Sequence, residues 1–387
     1  MVCLDFLLYK SILAQRIYFQ MQKRDKDGII RQDWGTKYSL LPHLDLLEVQ
    51  KASYKWFEDV GLWEILQEIS PVNDFTDKNW NLAFQSYRLG SPSHTPEIAV
   101  LKGLTFDAPL YVKAVLTNKK TGKSQTQEVF LGDIPQMTER GTFIINGIER
   151  AVVTQLVRSP GVFFTAFGDP VTGKVLYSAE IRPTHGSWLE FSTTRHDTIT
   201  VKIDRRRKFL ATTFLRAIGI SSNENIKERF SAKGGGESLI SSTLEKDQTQ
   251  NETEALVEIF SKMHPGEPVV LEKIRENFHG LFFNNRRYDL GNVGRYKVNK
   301  KLNEVPGFIS SDKRVLTVED VVSTINYLIL LMKDIGTVDD IDSLANRRVR
   351  CVGELVATTA FRVGILRLER SIKERMTLIQ ADQPVSI

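Results

Sequence analysis

The tightest local constraint in this sequence is the dipeptide Asn146-Gly147, set between Phe143-Ile144-Ile145 and Ile148. Both residues accept the positive φ that a two-residue type I′ turn demands at its two central positions, so a β-hairpin is expected here with its register fixed by the turn. The strand that follows carries Gln155 and Arg158 into Ser159-Pro160-Gly161, a turn that can leave polar groups facing a ligand. The whole run 129–164, VFLGDIPQMTERGTFIINGIERAVVTQLVRSPGVFF, reads as a built shape, because little in it follows from a generic need to bury apolar surface.

Short β-rich runs punctuated by Gly and Pro, 110–116, 128–131 and 201–203, predict mixed sheet structure in the first half. The stretch 231–254 opens on Ser231-Ala232-Lys233-Gly234-Gly235-Gly236-Glu237 and stays polar, so it is expected to be a flexible loop. Its glycines are no phosphate cradle, since no strand precedes them and no Gly-Lys-Ser/Thr follows. Helices are expected to dominate afterwards. Thr317 with Asp320 resembles a capping box, Val318, Val321, Val322, Ile325, Ile329 and Met332 mark an apolar face, and Gly336 is a natural stop. The fold class expected is α+β, with two or three domains allowed by the length of 387 residues.

A net charge of +5 is small for this length, so affinity for nucleic acid has to come from local clusters. The run Arg205-Arg206-Arg207-Lys208 is one such cluster; it reads either as a solvated face or as a contact to a phosphate backbone. Trp188, in Gly186-Ser187-Trp188-Leu189, reads either as core or as an indole exposed on a loosened turn. Cys3 and Cys351 are too few and too far apart for a metal or disulfide framework. His94, His185, His196 and His264 lack metal-ligand spacing, which leaves little for a hydrolase built on Asp133, Glu139 or Glu149. No apolar run approaches membrane-spanning length, and the stretch 6–14 reads as a helix packing on a partner or as a poorly ordered end.

The run 129–164 resembles the amino-terminal part of bacterial-type RNA polymerase β subunits, and the resemblance continues elsewhere. It is carried by Leu46-Leu47-Glu48-Val49-Gln50, Tyr54, Trp56-Phe57, Tyr177, Gly186-Ser187-Trp188-Leu189 and Ile203-Asp204-Arg205-Arg206-Arg207-Lys208. Further matches are His264-Pro265-Gly266-Glu267-Pro268, Arg287-Tyr288-Asp289-Leu290, Val293-Gly294-Arg295, the run 341–348, and the run from Arg362-Val363-Gly364 to Glu374-Arg375-Met376. The resemblance covers the chain from about Tyr38 onward, leaving 1–36 and roughly 221–255 unplaced. It implies two mixed α/β domains, the β protrusion with the lobe inserted in it. The expected boundaries are an extension at 1–36, protrusion at 37–150, lobe at 151–355 with the flexible insertion at 231–254, and a protrusion return segment at 356–387.

The same resemblance implies roles for particular residues. Arg158, Ile341, Asp342 and Arg347 match positions that form a pocket for an unpaired non-template base, usually guanine. A carboxylate such as Asp342 can accept two N–H bonds from the Watson–Crick edge of guanine once that base has left the duplex. The alternative is that Asp342 caps a turn and pairs with Arg347 or Arg348. Trp188 matches a residue that stacks on a non-template base, and Arg205, Arg206 and Arg207 are expected on the DNA backbone. Arg150, Val153 and Gln155 match positions lining the rifamycin pocket; their alternative is hairpin packing with a buried amide.

A catalytic centre is not expected in this chain. Its nearest acidic cluster, Asp339-Asp340-Ile341-Asp342, lacks the tight Asp-x-Asp-x-Asp spacing, and in the family the Mg²⁺ ions are held by the β′ subunit. The implied partners are a carboxyl-terminal β fragment, β′, α and σ subunits, and DNA, with no membrane. The end at Gln383-Pro384-Val385-Ser386-Ile387 falls between modules of the family, as expected of a split or truncated β subunit. The runs 295–302 and 335–340 are similar to cyanobacterial β sequences, which points to a chloroplast lineage, with a bacterial cytoplasm as the alternative. A free-standing DNA-binding or regulatory module derived from a polymerase lobe is the competing function.

Overall fold

The computed structural model describes residues 45–231 and 237–378. The expected extension at 1–36, the stretch 6–14, the triple glycine and the end at 383–387 lie outside the described residues.

Helix α1 (Glu48–Trp56) passes through a π turn, Phe57–Gly61, into α2 (Leu62–Ile69). There follow β1 (Val72–Asn73), β2 (Trp80–Leu89), α3 (Pro96–Lys102), β3 (Asp107–Asn118) and β4 (Ser124–Pro135). The four strands form an antiparallel sheet in the order β1-β2-β3-β4. Along β3 the residues Ala108, Leu110, Val112, Ala114 and Leu116 are buried at every second position, the period that sends alternate side chains to one face. Tyr54, Phe57, Leu62 and Leu66 pack against that face. The short α3 has complete end signals: Thr95 caps the amide of Ile98, Pro96 occupies the first turn, and Gly103 at φ +67° ends the helix.

The hairpin expected from Asn146-Gly147 is present as β5 (Phe143–Ile145) and β6 (Ile148–Arg150), with φ +51° and +74° at the two turn residues. Gly147 is required for a second reason. A Cβ on it would stand 2.7 Å from the Cα of Gly103, so the hairpin tip sits directly on the end of α3.

The chain continues through β7 (Gln155–Arg158), β8 (Gly161–Gly168), β9 (Val175–Arg182), β10 (Leu189–Thr193), β11 (Ile199–Ile203) and β12 (Lys208–Leu210). The last five form an antiparallel sheet in the order β12-β11-β10-β9-β8. Helices α4 (Ala211–Ala217), α5 (Asn223–Ser231), α6 (Glu237–Lys246), α7 (Glu252–Met263), α8 (Leu271–Phe283), α9 (Gly291–Leu302) and α10 (Val318–Leu331) come next. Val162, Phe164, Ala179, Ile181, Leu189, Phe191, Val201 and Ile203 give this sheet an apolar face, and Phe214, Phe278, Phe282, Ile325 and Leu328 complete a second core. The architecture is mixed, with antiparallel sheets and helices, in keeping with an α+β fold.

Two expectations change in this region. The loop expected over 231–254 contains α6 and the start of α7. Leu239, Ile240, Thr243 and Leu244 recur at helical spacing; Ile240 and Thr243 are fully buried, and the Thr243 hydroxyl accepts the Ile199 amide at 3.1 Å. That small apolar face, docked on a strand, is enough to order a polar segment. In α10 the Thr317–Asp320 capping box is present, but every residue from Asp320 to Leu331 is buried, so the helix is surrounded and not merely striped. Its buried Asp320 is balanced by Arg295, whose Nη1 and Nη2 donate at 2.8 and 3.0 Å. The helix ends at Leu331, ahead of the Gly336 stop expected from the sequence.

Strand β13 (Arg347–Arg350) then pairs with β7, and the chain enters α11 (Val352–Leu355), a π turn (Val356–Phe361) and α12 (Arg362–Leu378). Val352, Ala357, Ile365 and Met376 belong to the first core, with Tyr54 and Leu66, and not to the second. Gly353 shows how close this return is: a Cβ there would stand 1.9 Å from the Ser53 carbonyl oxygen on α1.

Candidate nucleic-acid interface

The antiparallel ribbon of β7 and β13 brings together candidate residues that lie far apart in the sequence, setting Arg158 directly opposite Arg347. Like charges facing one another across a ladder repel, and each of these guanidiniums is paired with a carboxylate. Arg347 pairs with Asp342, and its Nε reaches the Ile341 carbonyl at 3.5 Å. Arg158 pairs with Glu180 at 2.9 Å. The loop between is closed by its own bonds: Asp340 Oδ1 accepts the Asp342 amide at 2.9 Å, and Asn346 Nδ2 donates to the Asp340 carbonyl at 2.7 Å. Lys297 fastens the loop to the neighbouring turn, its Nζ donating to Ser159 Oγ at 2.6 Å and to the Ala345 carbonyl at 2.8 Å.

The geometry bears on one of the two readings of Asp342. The ion pair with Arg347 is there, while the turn is capped by Asp340, and Arg348 is taken instead by Glu354 at 2.6 Å through both of its Nη atoms. The Asp342 side chain is nonetheless 82% exposed, so its remaining acceptor sites face solvent. Between them, Asp342 and Arg347 offer acceptors beside donors on an accessible edge, the combination a base edge requires.

Trp188 occupies the other end of the same surface. It is half-buried on the approach to β10, and the preceding Gly186, at φ +127°, packs so closely that a Cβ would lie 2.7 Å from the Tyr288 ring. Two guanidiniums lie over the indole, Arg182 at 4.3 Å and Arg205 at 4.8 Å from the ring centroid. Arg205 comes from the turn joining β11 to β12, where Asp204 and Arg205 adopt φ +49° and +58° and the Arg206 amide closes the turn on Ile203 at 2.9 Å. An arginine in this left-handed region costs about 1 kcal/mol or more relative to glycine. The turn is anchored to Trp188 by reciprocal bonds, Trp188 N to Asp204 Oδ1 at 2.8 Å and Asp204 N to the Trp188 carbonyl at 3.0 Å. Arg205, Arg206, Arg207 and Lys208 are all exposed at this tip.

The two ends are joined by residues that the sequence did not single out. Glu180 and Arg182 alternate with Ala179 and Ile181 on β9, so they share the face of the sheet opposite the core. Arg182 donates to Glu180 from Nε at 2.8 Å. Burial disfavours the charge on Arg182, and the Glu180 carboxylate offsets part of that effect. The outcome is one strip, in which Asp342 pairs with Arg347, Arg347 faces Arg158, Glu180 joins Arg158 to Arg182, and Trp188 lies beneath Arg182 and Arg205.

Among the described residues, no hydrogen bond or ion pair draws Arg150, Val153 or Gln155 into this strip. All three are exposed, Val153 at 77%, so the buried amide considered for Gln155 is not found; Gln155 lies at the ribbon end opposite Arg350. Leu156 and Val349, directly opposite one another in the ribbon, are both exposed. Among the described residues no group of three metal-ligating side chains occurs, and no helix is long and apolar enough to cross a membrane.

Comparison with known proteins shows what the chain is similar to. The family described as RNA polymerase Rpb2, domain 2, matches residues 158–350, a span that begins at Arg158 and ends with β13. The chain is 46% identical over 341 residues to the DNA-directed RNA polymerase subunit beta of Prochlorococcus marinus (strain MIT 9215), covering 87% of this chain and 30% of that protein. It is 44% identical over 357 residues to the subunit of the same name from Nostoc sp. (strain PCC 7120 / SAG 25.82 / UTEX 2576), covering 92% of this chain and 30% of the relative. The chain thus spans 30% of the length of each of these relatives. With one domain of that family matched from β7 to β13 and identity extending over most of the chain, the protein matches the RNA polymerase Rpb2/β-subunit family.

Proposed function

We propose that this chain is the amino-terminal part of the β subunit of a multisubunit DNA-directed RNA polymerase, and that it contacts downstream DNA and the displaced non-template strand. The observation that carries this reading is the continuous strip from Asp342 and Arg347 through Arg158, Glu180 and Arg182 to Trp188 and Arg205. Such a strip combines the three things an unpaired strand calls for: an accessible base-edge acceptor, a stacking face and backbone-seeking cations. Protrusion and lobe correspond on this reading to the first and second cores. Bond-making chemistry belongs to the assembled enzyme, whose Mg²⁺ ions a β′ partner supplies, and this chain contributes positioning alone.

The similarity to cyanobacterial subunits supports a plastid setting. The exposed apolar pair Leu156 and Val349 suits burial against another part of the polymerase. Co-expression tests the reading. The chain purified by itself should bind a hydrophobic dye, and it should lose that signal and co-purify with the remainder of β, β′ and α when these are supplied. A chain that remains free of them and dye-silent overturns it.

A further inference from the structure

Glu180 has an unusual share of the strip. A single oxygen of its carboxylate, Oε2, accepts Arg158 Nη1 at 2.9 Å and Arg182 Nε at 2.8 Å, with Arg182 Nη2 in ion-pair contact at 2.7 Å. Both guanidiniums are substantially withdrawn from solvent, with 29% and 10% of their side-chain surfaces exposed, and the carboxylate itself is 22% exposed. Two cations brought together at low exposure repel each other unless an anion stands between them. Glu180 is that anion, and its two clients face different ends of the strip: Arg158 stands opposite Arg347 in the ribbon, while Arg182 lies 4.3 Å over Trp188.

The two guanidiniums on the indole are therefore not equivalent. Arg182 is fixed, with two nitrogens held on Glu180. Arg205 is exposed at a hairpin tip, and the structure gives its guanidinium no hydrogen bond or ion pair among the described residues. A base that stacks on Trp188 can displace Arg205 toward a phosphate without disturbing Arg182.

We propose that Glu180 is a positioning residue that joins the two ends of the strip into one binding unit, holding Arg182 as the permanent backing of Trp188 and Arg158 in register with Arg347 and Asp342, so that a single unpaired nucleic-acid strand is held at both ends together. The proposal rests on the strip being a nucleic-acid site. It adds that occupancy at the Asp342 end and at the Trp188 end is coupled, and that the coupling passes through one carboxylate.

The test uses the full chain in two settings. In the chain by itself, the emission of Trp188 is obtained by difference from Trp188→Phe; Glu180→Gln should change it, because Arg182 is released from the ring. Arg182→Met should change it too, and this variant leaves Glu180 paired with Arg158, so no unpaired guanidinium threatens folding. In the assembled polymerase, Asp342→Ala and Trp188→Ala should each shorten the lifetime of the opened complex, and the double variant should deviate from the product of the two effects by about fivefold. Placed in a Glu180→Gln or Arg182→Met background, the same pair should become multiplicative, while Glu180→Asp, which keeps the charge, should restore part of the deviation. Emission that ignores Glu180→Gln, or a deviation that survives in both backgrounds, overturns the proposal. If emission responds while Asp342→Ala and Trp188→Ala leave the opened complex unaltered, the nucleic-acid reading of the strip fails, and the joint with it, although the hold of Glu180 on Arg182 stands.

Discussion

Arg362, on the first turn of α12, brings its Nη1 to 2.7 Å from a ring nitrogen of His185, and the same guanidinium holds Glu68 of α2. Residues of α2 and α12 line the first core, whereas His185 is tied to the second through paired backbone bonds with Asp289 at 3.0 and 2.7 Å. The three side chains form a polar latch between the cores, three residues ahead of Trp188.

The latch should make stability fall as the medium turns mildly acidic. Partial burial and the adjacent Arg362 guanidinium hold the His185 pKa below its ordinary 6.5, with Glu68 and Asp289 opposing them. As pH falls through 6.5 the unfolded chain takes up a proton at this histidine that the folded chain resists, so folding is progressively disfavoured until the lowered folded pKa is reached. Because part of the ring remains exposed, the effect should be modest. Melting curves of wild type and His185→Gln between pH 7.5 and about 5 should converge as the pH drops; parallel curves would show that His185 does not titrate against the latch.

Glycine positions near α12 should respond to alanine with opposite signs. At Gly353 the added methyl would meet the Ser53 carbonyl at 1.9 Å, so Gly353→Ala should destabilise by about 1–3 kcal/mol. At Gly364, within α12, nothing lies within 4 Å, and alanine should stabilise by up to about 1 kcal/mol. Urea unfolding of both variants reads the difference, and equal shifts would contradict the packing of the return segment on α1.

Replacement of Arg205, Arg206 and Arg207 by alanine should weaken downstream DNA binding to a similar degree on every sequence. Each arginine that meets a phosphate contributes about 0.9 to the slope of log affinity against log salt, so the slope should drop by about 2–3. Binding isotherms across a salt series report this directly. An unaltered slope would place the exposed hairpin tip in solvent.

Much of this could be read from the chain because the signals are local. Asn146-Gly147 dictated a turn and Thr317 with Asp320 dictated a helix start, each within four residues. Segment α6 was missed because its glycine-rich lead outweighed a four-residue apolar face whose value depends on docking beside Ile199. The resemblance groups Arg158, Asp342 and Arg347 in one implied pocket and leaves Trp188 and Arg205 apart from it. The arrangement that unites them was hidden, since Glu180 and Arg182 on a strand look like ordinary alternation until β13 pairs with β7 and the β9 face is turned toward both ends.

The measurement that bears most directly on the account is the base preference at Asp342. The carboxylate is exposed beside Arg347, and a guanine edge is the ligand proposed for it. In the assembled polymerase, opened-complex lifetimes on templates differing only at one downstream non-template position should favour guanine by about 1–3 kcal/mol. With Asp342→Ala that preference should vanish, while lifetimes on the other three bases change little. If Asp342→Ala instead lowers the lifetime equally for all four bases and lowers the melting temperature of the chain, the residue serves only its ion pair with Arg347, and the strip does not read an unpaired base.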